Sequence, residues 1–577
     1  MTRPHTAGEV SGRFVSTDPD DPELTAAIAA LAPSFTILAG PHSAVRRTWI
    51  DTFDERLRRA GMVLVHATRD GETYLELTDA DGHRLRVPAA AMTWPAFAPD
   101  LPAGPLRERL AAVIDIRALS VSAALRSRER QLRVLDDDGK TVARLIVDTP
   151  LGHQRHRPIA SAPAAVLSVH AVRGYGAEAG RIATALTSTP GVEASRTSRR
   201  DDALAWTMAG AKPAHPLTNA LTADMPAAEA VATVLDGFRR TLEANVPGLI
   251  ADIDTEFLHD FRVAVRRARS TVKLTGHALS DDRAATLGEE LKWLGDLTSP
   301  TRDLDVYLLG VPAMAQSLRS SPAADLEPFR EHLAQRRDVE QRRLVRGVRS
   351  KRLRELLDQW RDIGDPLASP AHGKAALAPP ITAATLARTS VRKSHRTVVK
   401  LGSQITAASP AEDLHTLRKR CKELRYLLEI FAPLHDKALH KQVLQVLKAL
   451  QECLGEFQDS EVQADALRTF AGEMSSAGAA ASATLLAMGE LAAALHAEQQ
   501  RARAAFDSTF AAFMQPRNQR SFDALLPSPE PAREPKPARE PKIARRRLES
   551  TRPRRADSST DGAAGGTLLS LHTGGAA

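Results

Sequence analysis

The stretch that decides the fold is His259-Asp260-Phe261-Arg262-Val263-Ala264-Val265-Arg266-Arg267-Ala268-Arg269. It returns, shifted by 156 residues, as His415-Thr416-Leu417-Arg418 followed by Lys422 and Arg425. The same shift pairs Leu291 with Leu447, Lys292 with Lys448, Leu294 with Leu450, Asp303 with Asp459 and Val306 with Val462. Upstream it pairs Arg240 with Arg396. So many matches at one offset identify an internal duplication.

The spacing gives the repeat a chemical meaning. On a helix turning 100° per residue, positions i, i+3, i+7 and i+10 share a strip roughly 80° wide and three turns long. His259, Arg262, Arg266 and Arg269 lie on one such strip, and His415, Arg418, Lys422 and Arg425 on the other. Stacked cations repel one another unless an anion lies against them. Arg offers a planar fork suited to phosphate oxygens and Lys a mobile point charge. A charge run on one helix is ordinarily a solvated face, and Asp260, Glu423 and Glu429 offer local partners. Recurrence of the same residue types at the same spacing favours a phosphate polyanion instead.

The pattern His-x-x-Arg-x-x-x-Arg-Arg-x-Arg at 259–269, with Arg302-Asp303-Leu304-Asp305-Val306, resembles the CHAD family, the conserved histidine α-helical domains. Leu414-His415-Thr416-Leu417-Arg418, Arg425-Tyr426 and Leu454-Gly455-Glu456 resemble its second repeat. The resemblance implies an all-α domain of two pseudo-symmetric helical bundles whose basic helices line a groove. It also implies binding of inorganic polyphosphate and association with polyphosphate granules. The binding residues would be His259, Arg262, Arg266, Arg269, His415, Arg418, Lys422 and Arg425, with Arg240, Lys292, Arg396 and Lys448 as secondary contributors. Asp303 and Asp459 would orient cations or, by preference, cap helices.

Outward from the repeat, helical periodicity runs from 227 to 516, as repeats at about 227–360 and 383–516. Breaks are expected near Pro247, Pro300, Pro366–Pro380, Pro410 and Pro433. Residues 213–226 read as a linker and 1–30 as a loose N-terminus. Residues 517–577, with PAREPKPAREPK and Arg545-Arg546-Arg547, read as a disordered basic tail. From Pro531 onward, ten Lys/Arg against five Asp/Glu supply +5 of the formal +8, so the folded part is nearly balanced. Only local clustering can then make a basic site. Two cysteines, Cys421 and Cys453, exclude a disulfide framework or a four-cysteine zinc site. The opening MTRPHTAGEV has no apolar core of a secretory signal, and the apolar stretch Ala479–Leu495 carries Glu490. A cytoplasmic protein without a membrane span is expected.

Residues 31–212 have a mixed α+β texture. Tyr74–Leu77 and Ala143–Val147 read as strands, 79–82 and 137–139 as hairpin turns, and Ala177–Leu186 as a helix. Thr48-Trp49-Ile50-Asp51-Thr52-Phe53, followed by Leu57 and Gly61 to Leu64, resembles the CYTH domains, triphosphate tunnel metalloenzymes. That resemblance implies a strand-lined triphosphate site and a divalent metal held by carboxylates. The family's Glu-x-Glu-x-Lys opening is absent from Ser34–Gly40, and Val65, His66 and Ala67 stand where basic residues belong. The domain is therefore read as degenerate, with Glu76 as strand decoration and Arg126 and Arg128 as remaining anion contacts. No cofactor is expected, and a divalent metal only if the domain were an active triphosphatase.

Two alternatives stay open: a metal-dependent triphosphate hydrolase and a nucleic-acid-binding protein. No GxxxxGK phosphate loop or HExxH motif occurs. The basic strips lack the aromatic platforms of single-strand binders, Tyr426 being the one aromatic beside the second strip.

Overall fold

The computed structural model describes residues 10–18, 21, 24–89, 92–151, 163–207, 221–279, 283–363 and 381–525. The expected linker prolines Pro213 and Pro216, the Pro366–Pro380 break and the tail beyond 525 lie outside these residues. The chain divides into two compact units. One comprises residues 1–216 and 237–265, the other 217–236 and 266–577.

The first unit is built on nine strands: β1 (Val10–Ser16), β2 (Thr36–Thr52), β3 (Val63–Arg69), β4 (Glu72–Thr78), β5 (Arg84–Pro88), β6 (Leu119–Leu135), β7 (Thr141–Pro150), β8 (Val166–Ala171) and β9 (Val192–Ala194). They form one sheet in the order β5-β4-β3-β2-β6-β7-β8-β1-β9, with every pairing antiparallel. Its helices are α1 (Thr25–Ala29), α2 (Arg56–Arg59), α3 (Pro105–Ile114), α4 (Gly176–Thr187) and α5 (Arg199–Thr207). The expected strands, hairpin turns and helix at 177–186 are all present, because period-two alternation and Asp-Gly turns are local signals. The loose N-terminus needs correction: β1 pairs with both β8 and β9, so backbone hydrogen bonding orders a segment whose composition reads as loose. The sheet therefore opens upstream of Ser34–Gly40, with β1.

The long strands β2 and β6 switch faces midway. In β6 the buried positions are Ala123, Leu125, Ser127 and Glu129, then Leu132 and Val134. The phase change lies opposite the register shift between Ala39 and His42 of β2. Gly40 fits there because a Cβ would stand 2.9 Å from the Gln131 carbonyl oxygen. The switch gives the sheet separate cores. One gathers Leu132, Val134, Leu145 and Val169 with Ile182 and Leu186 of α4. Another packs Trp49, Ala123 and Leu125 against Ala203 and Trp206 of α5. A third sets Leu106, Leu110 and Ile114 of α3 on Ile50, Leu64 and Leu75.

The rest of the described chain is helical: α6 (Ala227–Ala251), α7 (Thr255–Thr275), α8 (Arg283–Ser317), α9 (Glu327–Val348), α10 (Lys351–Arg361), α11 (Ala383–Gly402), α12 (Ala411–Ile430), α13 (Lys437–Ser476), α14 (Ser482–Phe513) and α15 (Pro516–Leu525). The break expected near Pro247 falls just after it, where α6 ends at Ala251, and the one expected near Pro300 is absent. Both prolines sit inside helices, where each removes one donor from a ladder that long flanking segments maintain. Helical structure also continues past residue 516, since α15 buries Phe522 and Leu525. The division between the two units passes through α6 and α7.

In the second unit the duplication shows as symmetry. Ala227 donates its backbone N–H to the Ile381 carbonyl at 2.9 Å, and Ala383 donates to the Met225 carbonyl at 2.8 Å. A shift of 156 residues exchanges these two bonds, so the starts of the two repeats meet on a local dyad. Leu304, Val311, Phe329 and Leu333 share a core with Leu467, Phe470, Met474 and Leu491, from α8, α9, α13 and α14. Among the described residues no helix is long and apolar enough to cross a membrane.

A candidate polyanion site on two basic helices

Helix α7 starts where Asp254 accepts the backbone N–H groups of Glu256 (3.0 Å) and Phe257 (3.3 Å). Phe257, Leu258, Phe261, Ala264, Val265 and Ala268 form its buried face. His259, Arg262 and Arg266 are half-buried beside that face and Arg269 is exposed. Helix α12 repeats the arrangement on Leu414, Leu417, Cys421, Leu424 and Leu428, with His415, Lys422 and Arg425 half-buried and Arg418 buried.

Within the second unit the two helices run antiparallel. Arg267 pairs with Glu429 at 2.8 Å and Lys273 with Glu423 at 2.7 Å, in opposite chain directions. Arg266 is close enough that its charge acts on Lys422. Burial, together with the charges of Arg418, Arg266 and Arg425, pushes the Lys422 ammonium down to about 7, against the pull of Asp459. Four cations from both copies thus act on one another in a partly desolvated place.

Helix α13 supplies the polar support. Arg418 donates to Asp459 at 2.8 Å, His415 Nδ1 meets the Gln458 side-chain oxygen, and Arg425 donates to Gln451 at 3.2 Å. Burial raises the Asp459 carboxyl, while Arg418 and Lys422 hold it down. Asp459 and Asp303 lie well inside α13 and α8, so the expected capping role is corrected; Asp459 orients Arg418. The secondary residues Arg240, Lys292, Arg396 and Lys448 are exposed, and Lys448 pairs with Glu452 on its own helix at 3.4 Å.

The sheet's polar interior has a different character. Arg47 pairs with Glu129 and, at 3.0 Å, with Asp148; Arg69 pairs with Glu129, and Arg199 of α5 with Asp148 at 3.5 Å. A cavity of about 250 Å³ beside them is lined by Gly40, Ser43, Arg69, Glu129, Gln131 and Arg133, among others. The two buried carboxylates that could serve a divalent cation are thus occupied by guanidinium groups. The one group of potential ligands that comes together among the described residues is Asp79, Asp81 and His83. There Asp79 accepts the N–H groups of Asp81 (3.1 Å) and His83 (2.8 Å), a turn-forming arrangement. The residues present do not fit the metal that the enzyme resemblance implies. Arg126 and Arg128 are exposed, on the strand face opposite Ser127 and Glu129, so they do not line this interior. Glu76 accepts Arg86 of the neighbouring strand at 2.7 Å, as decoration. Sequence reading missed Arg47, Arg69 and Arg199, because cross-strand register decides which arginines face inward.

The uncharacterized protein Rv2226 of Mycobacterium tuberculosis is 28% identical over 214 residues, 36% of this chain and 39% of that protein. The chain thus spans well under half the length of the curated relatives it matches. Among solved structures, the CHAD domain of the plant Ricinus communis covers 52% of this chain and 96% of its own, at 24% identity and TM-score 0.43. A Hippeastrum protein described as having a dominant triphosphatase activity covers 33% of this chain and 91% of its own, at 13% identity and TM-score 0.24. The family model of the CHAD domain matches residues 233–468, which hold both basic helices: this part of the chain is a CHAD domain.

Proposed function

We propose that the CHAD domain binds inorganic polyphosphate along its two basic helices. The observation that carries the reading is the gathering of Arg266, Arg418, Lys422 and Arg425, where burial and then the neighbouring guanidinium charges bring the lysine down to about 7. Such a cluster is unfavourable alone and becomes favourable when an extended polyanion adds negative charge to it. Each strip is three turns long, about 16 Å at 1.5 Å per residue, which exceeds what a single phosphate can engage. A granule surface would present the same polyanion as a free chain.

Nucleic acid offers the same phosphates, but the aromatics beside the strips are withdrawn: Phe261 is 0% and Tyr426 4% exposed, and neither offers a stacking platform. Metal-dependent hydrolysis in the sheet unit is disfavoured by the arginines on Glu129 and Asp148.

The test is a titration of the full chain with long-chain polyphosphate at two salt concentrations. Tripolyphosphate and single-stranded RNA serve as competitors, and released phosphate is followed with and without Mn²⁺. If about eight cations are neutralised, log affinity falls against log salt with a slope near −6. Salt-sensitive binding that RNA does not displace, without phosphate release, supports the reading. Preferential binding of RNA would transfer the site to nucleic acid, and Mn²⁺-dependent release would restore an enzyme.

A further inference from the structure

The 156-residue shift that matches the two copies also reveals where they differ. Positions 458 and 459 of α13 are the ones that serve α12: Gln458 meets His415, and Asp459 receives Arg418. Their counterparts on α8 are Arg302 and Asp303. The acid is kept, but the neutral carboxamide of the second copy is replaced in the first by a guanidinium.

Arg302 is only 6% exposed, and neither Nε nor Nη1 has a hydrogen-bond partner. The other buried arginines among the described residues all meet carboxylates. Arg117 pairs with Asp254 at 3.0 Å, Arg200 with Asp51 at 3.4 Å, Arg239 with Glu243 at 2.6 Å and Arg418 with Asp459 at 2.8 Å. One turn along α8 from Arg302, the buried Asp305 is committed to Arg337 at 2.9 Å. A guanidinium cannot shed its proton to escape burial, so Arg302 destabilises the ligand-free fold unless an anion supplies acceptors.

We propose that Arg302 is a further phosphate-binding residue, and that it makes the first copy of the repeat a stronger anion subsite than the second. The proposal rests on the polyphosphate reading. It predicts an asymmetric site, in which a chain of phosphates is held harder at the α8 end, and it gives a buried, unpaired charge a use that packing does not.

The experiment compares the full chain with Arg302→Gln, which copies the second repeat, with Arg302→Lys, and with Lys422→Gln as a reference for the basic strips. Each is titrated with long-chain polyphosphate and its thermal midpoint is measured without ligand. Arg302→Gln is expected to weaken binding by roughly tenfold or more, as for loss of charged hydrogen bonds. It should also reduce the salt slope by about 0.7. Its ligand-free midpoint should rise, because an unpaired buried charge is gone; Arg302→Lys should bind between the two. Unchanged affinity in Arg302→Gln, with Lys422→Gln weakened, would overturn the role of Arg302 and leave the proposed function standing. Affinity lost together with a lowered midpoint would show a structural arginine and equally overturn it. Absence of polyphosphate binding by the unaltered chain would overturn both.

Discussion

Arg267 and Glu429 form an ion pair at 2.8 Å that the internal dyad repeats with its charges reversed in sequence. A shift of 156 residues carries Arg267 onto Glu423 and Lys273 onto Glu429, and the second pair is Lys273–Glu423 at 2.7 Å. Both cations therefore lie on α7 and both carboxylates on α12. An unchanged duplicate would have set like charges opposite each other; divergence at two positions made α7 complementary to α12. Reversing one charge, as in Glu429→Lys, is expected to lower stability, and the swap Arg267→Glu/Glu429→Arg to recover most of it. With side chains 36% and 28% exposed, the coupling should be about 0.5–1 kcal/mol, read from denaturation midpoints in a double-mutant cycle. Additive losses with no recovery would make the pair incidental.

The protonation of Lys422 should be visible in binding. Its ammonium is depressed to about 7 by burial and by Arg418, Arg266 and Arg425, with Asp459 opposing. The charged fraction therefore falls about tenfold between pH 6 and pH 8, and polyphosphate affinity should fall with it. Lys422→Arg keeps its charge and should flatten this part of the profile. The stability sign follows the same shift: the cost of burying the charged lysine is full below about 7 and lifts as pH rises toward 10.5. Lys422→Met should therefore raise the ligand-free thermal midpoint more at pH 6 than at pH 9.

Arg117 fixes the beginning of the first basic helix. It is fully buried, bonds Asp254 at 3.0 Å, pairs with Asp260, and lies 5.1 Å from the Phe257 ring. The adjacent Ala118 N–H also donates to Asp254 at 3.0 Å. Arg117→Met should cost about 3–5 kcal/mol, the range for stripping one partner from a buried ion pair. Hydrogen exchange should accelerate first at residues 254–260. Unchanged protection there would separate Arg117 from the positioning of His259.

Helix α15 should loosen in acid. His395 stacks on Phe522 with ring centroids 4.1 Å apart, and His435 lies close to the Leu525 backbone. Burial holds both imidazoles down to about 4, so they dock neutral. Their contribution is full above the ordinary histidine value of 6.5 and is lost as pH falls toward 4. Amide exchange over residues 516–525, corrected for intrinsic rate, should report more opening at pH 5 than at pH 7, with the difference reduced in His395→Phe.

The sequence by itself determined the duplication, the helical character of its two copies and the composition of the basic strips. Those follow from local periodicity: residues three, four and seven apart share a helix face whatever the helix packs against. It also located the hairpins of the sheet unit, whose turn chemistry is equally local. It misjudged Pro300 and the segment around β1, where long-range pairing and flanking helix outweigh local preference. Which charges are used internally was decided only by tertiary structure. Asp459 supports Arg418 because α13 packs on α12, Glu129 and Asp148 are taken by Arg47, Arg69 and Arg199 through register and α5, and Arg302 is buried without a carboxylate. Charge pairing depends on distances between segments far apart in the chain, and those distances exist only once the helices and strands have packed.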